Sequence, residues 1–441
     1  MVIILIQIII VTVLLSLTII SAFRSNTFKN PITLINLWWG GWLLLSSFGF
    51  YHLFIPSTNT YLYILGNISF LTLGYLLVLG RGTVNSKQSY SKAFELKNLK
   101  LFNLVQLITL FIMLFFAIKG IKIMVTQNIT PQEYRGYVFK GYLTDPLYGS
   151  NFIFLFIHYI VKGFILVNSM VCTFLYLLRK KYYRTFLISI ANLLLLSAFM
   201  VSRIDIFRYI ILILIFFFLA RKLNLKLEVN INIISKKVLT YFSFMIIILF
   251  IVSYLRAGQV FKSILVYFTG PFIALDTFLE QYNIQPQIPL QFGRATLGGI
   301  DDIIVLIIRR FNDTIVSTNY KLSFLSDAIS IGESQTYNAF YTMFVNFFID
   351  GNVFGSLLIS FFLGITISLL FVKTYTNPNI FVLTLFIYIL HMVIFGSLRW
   401  EFSSGWSWIV LFLLVIYKKL FFKSSKNLNN FKGGKNLFNS C

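Results

Sequence analysis

Long apolar runs dominate the chain, each close to the roughly 20 residues a helix needs to cross a hydrocarbon core of about 30 Å. Eleven stand out: 2–22, 32–54, 61–80, 101–118, 151–178, 185–202, 204–220, 238–255, 353–372, 379–398 and 405–421. The run at 204–220 is the weakest, because it is short and opens on Arg203, Asp205 and Arg208. Residues 2–22 have no preceding basic run and no small-residue cleavage site, so they read as a retained first helix. Two connections are large, 119–150 and 256–352. The second holds an apolar stretch at 261–281, a Pro/Gln-rich turn at 285–289, a short apolar helix at 301–312 and an aromatic stretch at 336–349. This pattern predicts an all-α polytopic membrane protein. Helices one to eight occupy 1–255, a large extramembrane loop with interfacial helices 256–352, and three more helices 353–421. A Lys/Asn/Ser-rich tail over 422–441 reads as disordered.

Composition narrows the class. Of 441 residues, 58% are hydrophobic and 12% charged. A soluble domain carries about 25% charged residues, so this chain could not cover a water-facing surface. Soluble enzymes, disordered regulators and disulfide scaffolds are excluded. Cys172 and Cys441 and the scattered His52, His158 and His391 offer no metal-ligand spacing, so no metal and no cofactor is expected.

The net charge of +23 raises nucleic acid as a partner, and its distribution argues against it. With the loops sorted alternately to two sides, the side holding 23–31, 81–100, 179–184, 221–237, 373–378 and the tail together with Lys418 and Lys419 at the end of the last run carries 23 basic residues and only two acids, Glu95 and Glu228. Positive residues mark the cytoplasmic side. The N-terminus is then expected outside and the C-terminus inside. Anionic lipid accounts for the basic excess, and no nucleic-acid partner is expected.

The two sides differ in which base they use. The cytoplasmic side has 18 Lys and 5 Arg, whereas the outer side has 5 Lys and 8 Arg: Arg135, Arg203, Arg208, Arg256, Arg294, Arg309, Arg310 and Arg399. Sorting does not distinguish the two bases, but recognition of a phosphate by a planar fork does. Arg beside apolar spans therefore points to an anion held at the outer leaflet. The alternative is pairing with the outer acids. Asp205 and Arg208 share a helix face at i,i+3, and a charge at that depth is costly unless paired or functional. Arg256 could instead snorkel, and Arg399 could be neutralised by Glu401. His158 and Lys162 lie at i,i+4 in the outer half of the fifth span. His391 reads as structural. Asp301-Asp302 at the start and Arg309-Arg310 at the end of one short helix complement its dipole. Asp350 reads as the N-cap of the span that follows it.

A ring of cations under an extramembrane cap suits a lipid-linked pyrophosphate, whose tail needs hydrocarbon and whose head needs Arg forks. The ensemble resembles the Wzy-type O-antigen polymerases, which join oligosaccharide repeat units. The matching features are Ser202-Arg203 leading into an apolar span, Arg256 after the next span, and Phe268-Thr269-Gly270-Pro271-Phe272 with Asp276. Phe292-Gly293-Arg294-Ala295-Thr296, Thr336-Tyr337-Asn338 and Tyr341-Thr342, Asp350 with Gly355, and Arg399-Trp400-Glu401 follow in the same order. Where that family often shows Asp-Phe-Gly, this chain has Asp350-Gly351-Asn352.

The resemblance implies a GT-C-like, metal-independent glycosyltransferase working at the periplasmic face. A growing glycan leaves undecaprenyl pyrophosphate and joins the non-reducing end of another undecaprenyl-pyrophosphate-linked repeat unit, in O-antigen or capsule synthesis. It also implies a co-polymerase partner that sets chain length. In this reading Arg203, Arg208 and Arg256 hold the pyrophosphate, assisted by Arg294, Arg399 and Lys162. Glu401, or else His158, takes the acceptor proton, and Tyr337, Asn338 and Asp350 contact the sugar. An O-antigen ligase or a flippase of lipid-linked oligosaccharides is the alternative. The absence of His from 256–352 weighs against the ligase, and the size of that loop weighs against the flippase.

Overall fold

The computed structural model describes residues 2–24, 30–79, 95–140, 147–220, 223, 225, 227–228, 260–284, 289–309, 311–312, 314–337, 341–376 and 379–422. These are mostly helical. One antiparallel hairpin, Ile329–Gly332 with Gln335–Tyr337, is the only sheet among them.

Six of the described helices are long and apolar enough to cross a membrane: Thr58–Leu79, Leu99–Gln127, Asn151–Leu178, Lys180–Phe199, Phe261–Tyr282 and Met343–Thr376. Five coincide with expected spans. Pro31–Ser46, Ile204–Ala220, Ile380–Phe395 and Gly405–Leu420 are helical but shorter. The expected run 32–54 stops early because Gly49 (φ 57) and then Tyr51 and His52 (φ 60) turn left-handed. The chain then lays Phe54 against the hairpin, its N–H donating to Ile331 O at 2.9 Å. The expected span 238–255 lies outside the described residues, as do Arg256, Arg310, Asn338 and the tail from 423.

The described parts of three basic loops meet at one end of the bundle. At the basic end Glu95 accepts from Arg179 at 2.5 Å and from Lys181 at 3.1 Å, and Glu228 accepts from the Lys180 N–H at 3.2 Å. Leu96 bridges Phe422 there. At the other end of helix Gly405–Leu420 sits a cap, made of Val260–Ile284 and the described residues between 289 and 337.

Helices Thr58–Leu79 and Met343–Thr376 run side by side. A Cβ on Gly74 would lie 2.0 Å from the Phe361 carbonyl oxygen, and one on Gly364 would lie 2.0 Å from that of Leu71. Apolar lipid offers no force to drive apolar helices together, so close backbone packing and polar links must do it. The links are Ser356 and Ser360, whose hydroxyls donate to Asn67 Oδ1 at 2.6 and 2.8 Å, and Tyr63, which donates to Phe344 O at 3.0 Å.

The second helix of this pair breaks at Gly351 and Asn352, the latter at φ 53. The break frees two carbonyls. Ile349 O accepts from the Gln291 N–H at 3.0 Å, and Asp350 O accepts from the Phe292 N–H at 3.2 Å. The Asp350 carboxylate takes the Ala295 and Thr296 N–H groups at 2.9 and 2.6 Å. Asn346 and Trp400 donate to the carbonyls of Ala295 and Thr296 at 3.0 and 2.6 Å. Asp350 is therefore not the cap of its own helix. It caps, in trans, the turn that launches helix Gly298–Ile308. The break at Gly351-Asn352 makes this possible.

Helix Val260–Ile284 has a membrane-spanning length but packs on one end of the bundle. Its Phe268 stacks on Trp42 at 3.8 Å and meets Phe207 at 5.5 Å, while Phe278 meets Phe348 at 5.9 Å. Asp276 accepts from Ser57 Oγ at 2.5 Å and Thr60 Oγ1 at 2.6 Å, at the start of Thr58–Leu79. The hairpin leans on this helix, with Tyr337 filling the space a side chain at Gly270 would need.

Candidate functional site

A cavity of about 490 Å³ lies between the cap and the bundle end, within the range of small-molecule sites. One wall belongs to the bundle. His158, Tyr159 and Lys162 reach it from helix Asn151–Leu178, whose stretch Phe156–Val161 is a π turn. Such a turn inserts one residue, rotating what precedes it by about 100° against the α-helix beyond. Arg399, Ser404 and Trp406 come from the last helical hairpin. The other wall is the cap: Asp302, Asn319, Tyr341 and Asn346. Gly405 lets the two bundle elements close up, since a Cβ there would meet the Tyr159 ring at 2.3 Å.

Behind the bundle wall lies a buried ion network. Arg208 donates through Nη1 to Asp205 and through Nη2 to Glu401. Both carboxylates have no exposed surface and Arg208 is 3% exposed. Lys162 Nζ stands 3.6 Å from Asp205 Oδ1. Trp406 is held between two cations, with Lys162 at 5.1 Å and Arg208 at 4.7 Å from its ring. Arg399 donates to Ser404 Oγ at 2.7 Å. Counting Lys162, Arg208 and Arg399 against Asp205 and Glu401 leaves one positive charge in surplus. Among the described residues, the two cations that line the cavity are Lys162 and Arg399. Positive charge at the rim of a low-dielectric region, beside aromatic faces and amides, can hold an anion that carries a sugar.

The structure sorts the expected site residues. Lys162, Arg208 and Arg399 come together as a group. Arg208 is consumed by two carboxylates and does not line the cavity. Arg203 lies over Tyr267 at 5.8 Å, away from the cavity wall. Arg294 binds Asp301 at 2.9 Å on the face of the cap. Arg256 lies outside the described residues. His158 lines the cavity, and its Nε2 is 2.9 Å from Val138 O and 3.0 Å from Tyr148 Oη. A carbonyl only accepts, so Nε2 carries the proton and Nδ1 is the basic nitrogen of the neutral ring. Glu401 is sealed behind the wall against Arg208, a poor position for a base. Its expected partner Arg399 bonds Ser404, and its observed partner Arg208 lies 193 positions away. Of the expected sugar contacts, Tyr337 is packed in the hairpin core, Asp350 is taken up by backbone N–H groups, and Asn338 lies outside the described residues.

Three residues were not expected at the site. Asp302, Asn319 and Asn346 line the cavity. The dipole reading of Asp301-Asp302 concealed that the two carboxylates part company. Asp301 accepts from Arg294 Nε at 2.9 Å and the Thr318 N–H at 2.6 Å, outside the cavity. Partial burial raises the Asp301 carboxyl, but these hydrogen bonds outweigh it and hold it below its ordinary value. For Asp302, burial wins over the hydrogen bonds of Ser317 and Asn319, and the neighbouring Asp301 charge adds to it, so that carboxyl is pushed up. Among the described residues no cluster of three His, Cys, Asp or Glu side chains could hold a metal ion. The chain matches no protein-family model, no curated protein and no solved structure.

Proposed function

We propose that the chain is a bacterial inner-membrane glycosyltransferase of the repeat-unit polymerase kind. It moves a growing glycan from undecaprenyl pyrophosphate to the end of a second lipid-linked repeat unit, on the outer side of the membrane, with the N-terminus outside and a chain-length regulator as partner. The observation that carries this reading is the gathering of Lys162, Arg208 and Arg399 with their two acids under a capped cavity at the end of the bundle opposite the basic loops. A glycosyl pyrophosphate is already activated, so the site need only stabilise charge growing on the leaving group and align two substrates. Fixed cations in a water-poor site do the first, and a closed cavity between cap and bundle does the second. Lys162 and Arg399 bind the pyrophosphate, and Arg208 anchors the wall that presents them.

The test is genetic. Cells lacking the chain should carry surface glycan of single repeat units only, and the wild-type gene should restore the ladder. The Arg399→Ala gene should not restore it at normal protein level. Loss of all repeat units on deletion would point to a ligase or a flippase instead, and an unchanged ladder would refute the assignment.

A further inference from the structure

We propose that Asp302, on the cap, is the general base of this site; the proposal rests on the transferase reading above. In a direct displacement the nucleophile and the leaving group lie on opposite sides of the reacting carbon. The cavity has the same polarity: Lys162 and Arg399 on the bundle wall, and Asp302 with two amides on the cap wall. Asp302 is the only carboxylate lining the cavity among the described residues. Asp205 and Glu401 are sealed behind it.

The position of Asp302 is fixed by two contacts. Asn319 Nδ2 donates to Asp302 Oδ2 and to the Ser403 carbonyl, each at 2.6 Å. Gly299, one turn earlier, sits so close to Ser404 that a Cβ would lie 2.5 Å from its carbonyl. The cap helix is thus seated on the same turn that bears Arg399, which places acid and cation in register across the cavity. His158 is the competing base, but it stands one turn from Lys162 on the cationic wall, where the leaving group is held. Burial also raises the proton affinity of Asp302, which suits a base.

In the step itself the acceptor hydroxyl oxygen bonds to the anomeric carbon as the bond from that carbon to the pyrophosphate oxygen breaks. The bonding pair leaves with undecaprenyl pyrophosphate, whose charge Lys162 and Arg399 meet. The hydroxyl proton passes to the Asp302 carboxylate.

The experiment uses the full chain in lipid nanodiscs. Lipid-linked oligosaccharide extracted from cells deleted for the gene serves as donor and acceptor, and undecaprenyl pyrophosphate serves as the binding probe. Asp302→Asn keeps an acceptor for Asn319, so probe affinity and melting temperature should match wild type while transfer falls about 10²–10⁴-fold. Transfer within about threefold of wild type overturns the proposal, since a general base contributes far more. So does a fall in probe binding and melting temperature in step with transfer, which would make Asp302 a packing residue. Asp302→Ala is the second arm: added formate should restore part of the transfer, and no restoration in a variant that melts like wild type counts against the base. A wild-type chain that builds no polymer from the extracted lipid overturns the transferase reading itself. An active wild type beside an equally active Asp302→Asn overturns only the base.

Discussion

Replacing Arg208 by Met removes the one group that satisfies two carboxylates with no access to water. Two charge-assisted hydrogen bonds are lost, each worth about 1.5–3 kcal/mol. Asp205 keeps Lys162 at 3.6 Å, but Glu401 Oε1 loses its guanidinium partner and Oε2 already has none. Breaking a buried pair from one side costs about 3–5 kcal/mol, so Arg208→Met should lower stability by about that much, a factor of 10² or more in the unfolding equilibrium at about 1.4 kcal/mol per decade. The accompanying variant is Arg208→Met with Glu401→Gln, in which Asp205 still faces Lys162. It removes the orphaned charge and should recover much of the loss, because a neutral replacement of similar volume is often no less stable than a buried ion pair. Unfolding in mixed micelles, followed by fluorescence of Trp406 beside Arg208, reads both. A loss below about 1 kcal/mol for the single variant, or a double variant no more stable than the single, would refute the buried-network reasoning. If Arg208 instead gripped the pyrophosphate, Arg208→Met would leave stability intact and abolish binding of undecaprenyl pyrophosphate.

Three further outcomes follow from the geometry. Gly364→Leu forces a side chain onto the Leu71 carbonyl and should cost about 3 kcal/mol or separate the two helices; wild-type melting would show that the close approach does not matter. Asp350→Ala strips two buried N–H groups of their acceptor, at about 1–3 kcal/mol each, so the segment 289–321 should be cleaved faster by protease while the bundle stays intact; an unchanged rate would dismiss the clamp. Asp301 has a folded value held below its unfolded one. Its contribution is therefore present above the unfolded value and lost as pH falls through the folded one. Cap stability should decline on acidification below about pH 4, and the decline should be shallower in Asp301→Asn; identical profiles would remove Asp301 from the account.

Much of the frame was legible because it rests on local rules. Run length identified the helices Thr58–Leu79, Leu99–Gln127 and Asn151–Leu178, since each satisfies its backbone within itself and needs only apolar side chains to sit in lipid. Loop charge sorted Glu95, Arg179 and Glu228 to one end, where they meet. Length alone does not place one helix: the stretch 261–281, expected within the outer loop, forms Val260–Ile284, which is long and apolar enough to span.

The sequence by itself determined the helical membrane class, the two-sided distribution of charge and the i,i+3 pair Asp205–Arg208, because periodicity, hydropathy and near-neighbour spacing are properties of the chain taken locally. Only the tertiary structure decided that Arg208 closes on Glu401 as well as on Asp205, that Asp350 caps a turn of the cap and not its own helix, and that Asp302 faces the cavity while Asp301 faces away. Each of those depends on which helix ends are packed together and on how far each helix is rotated about its axis. Both are set by the sum of many contacts between residues far apart in the chain, and no short window of sequence carries that sum.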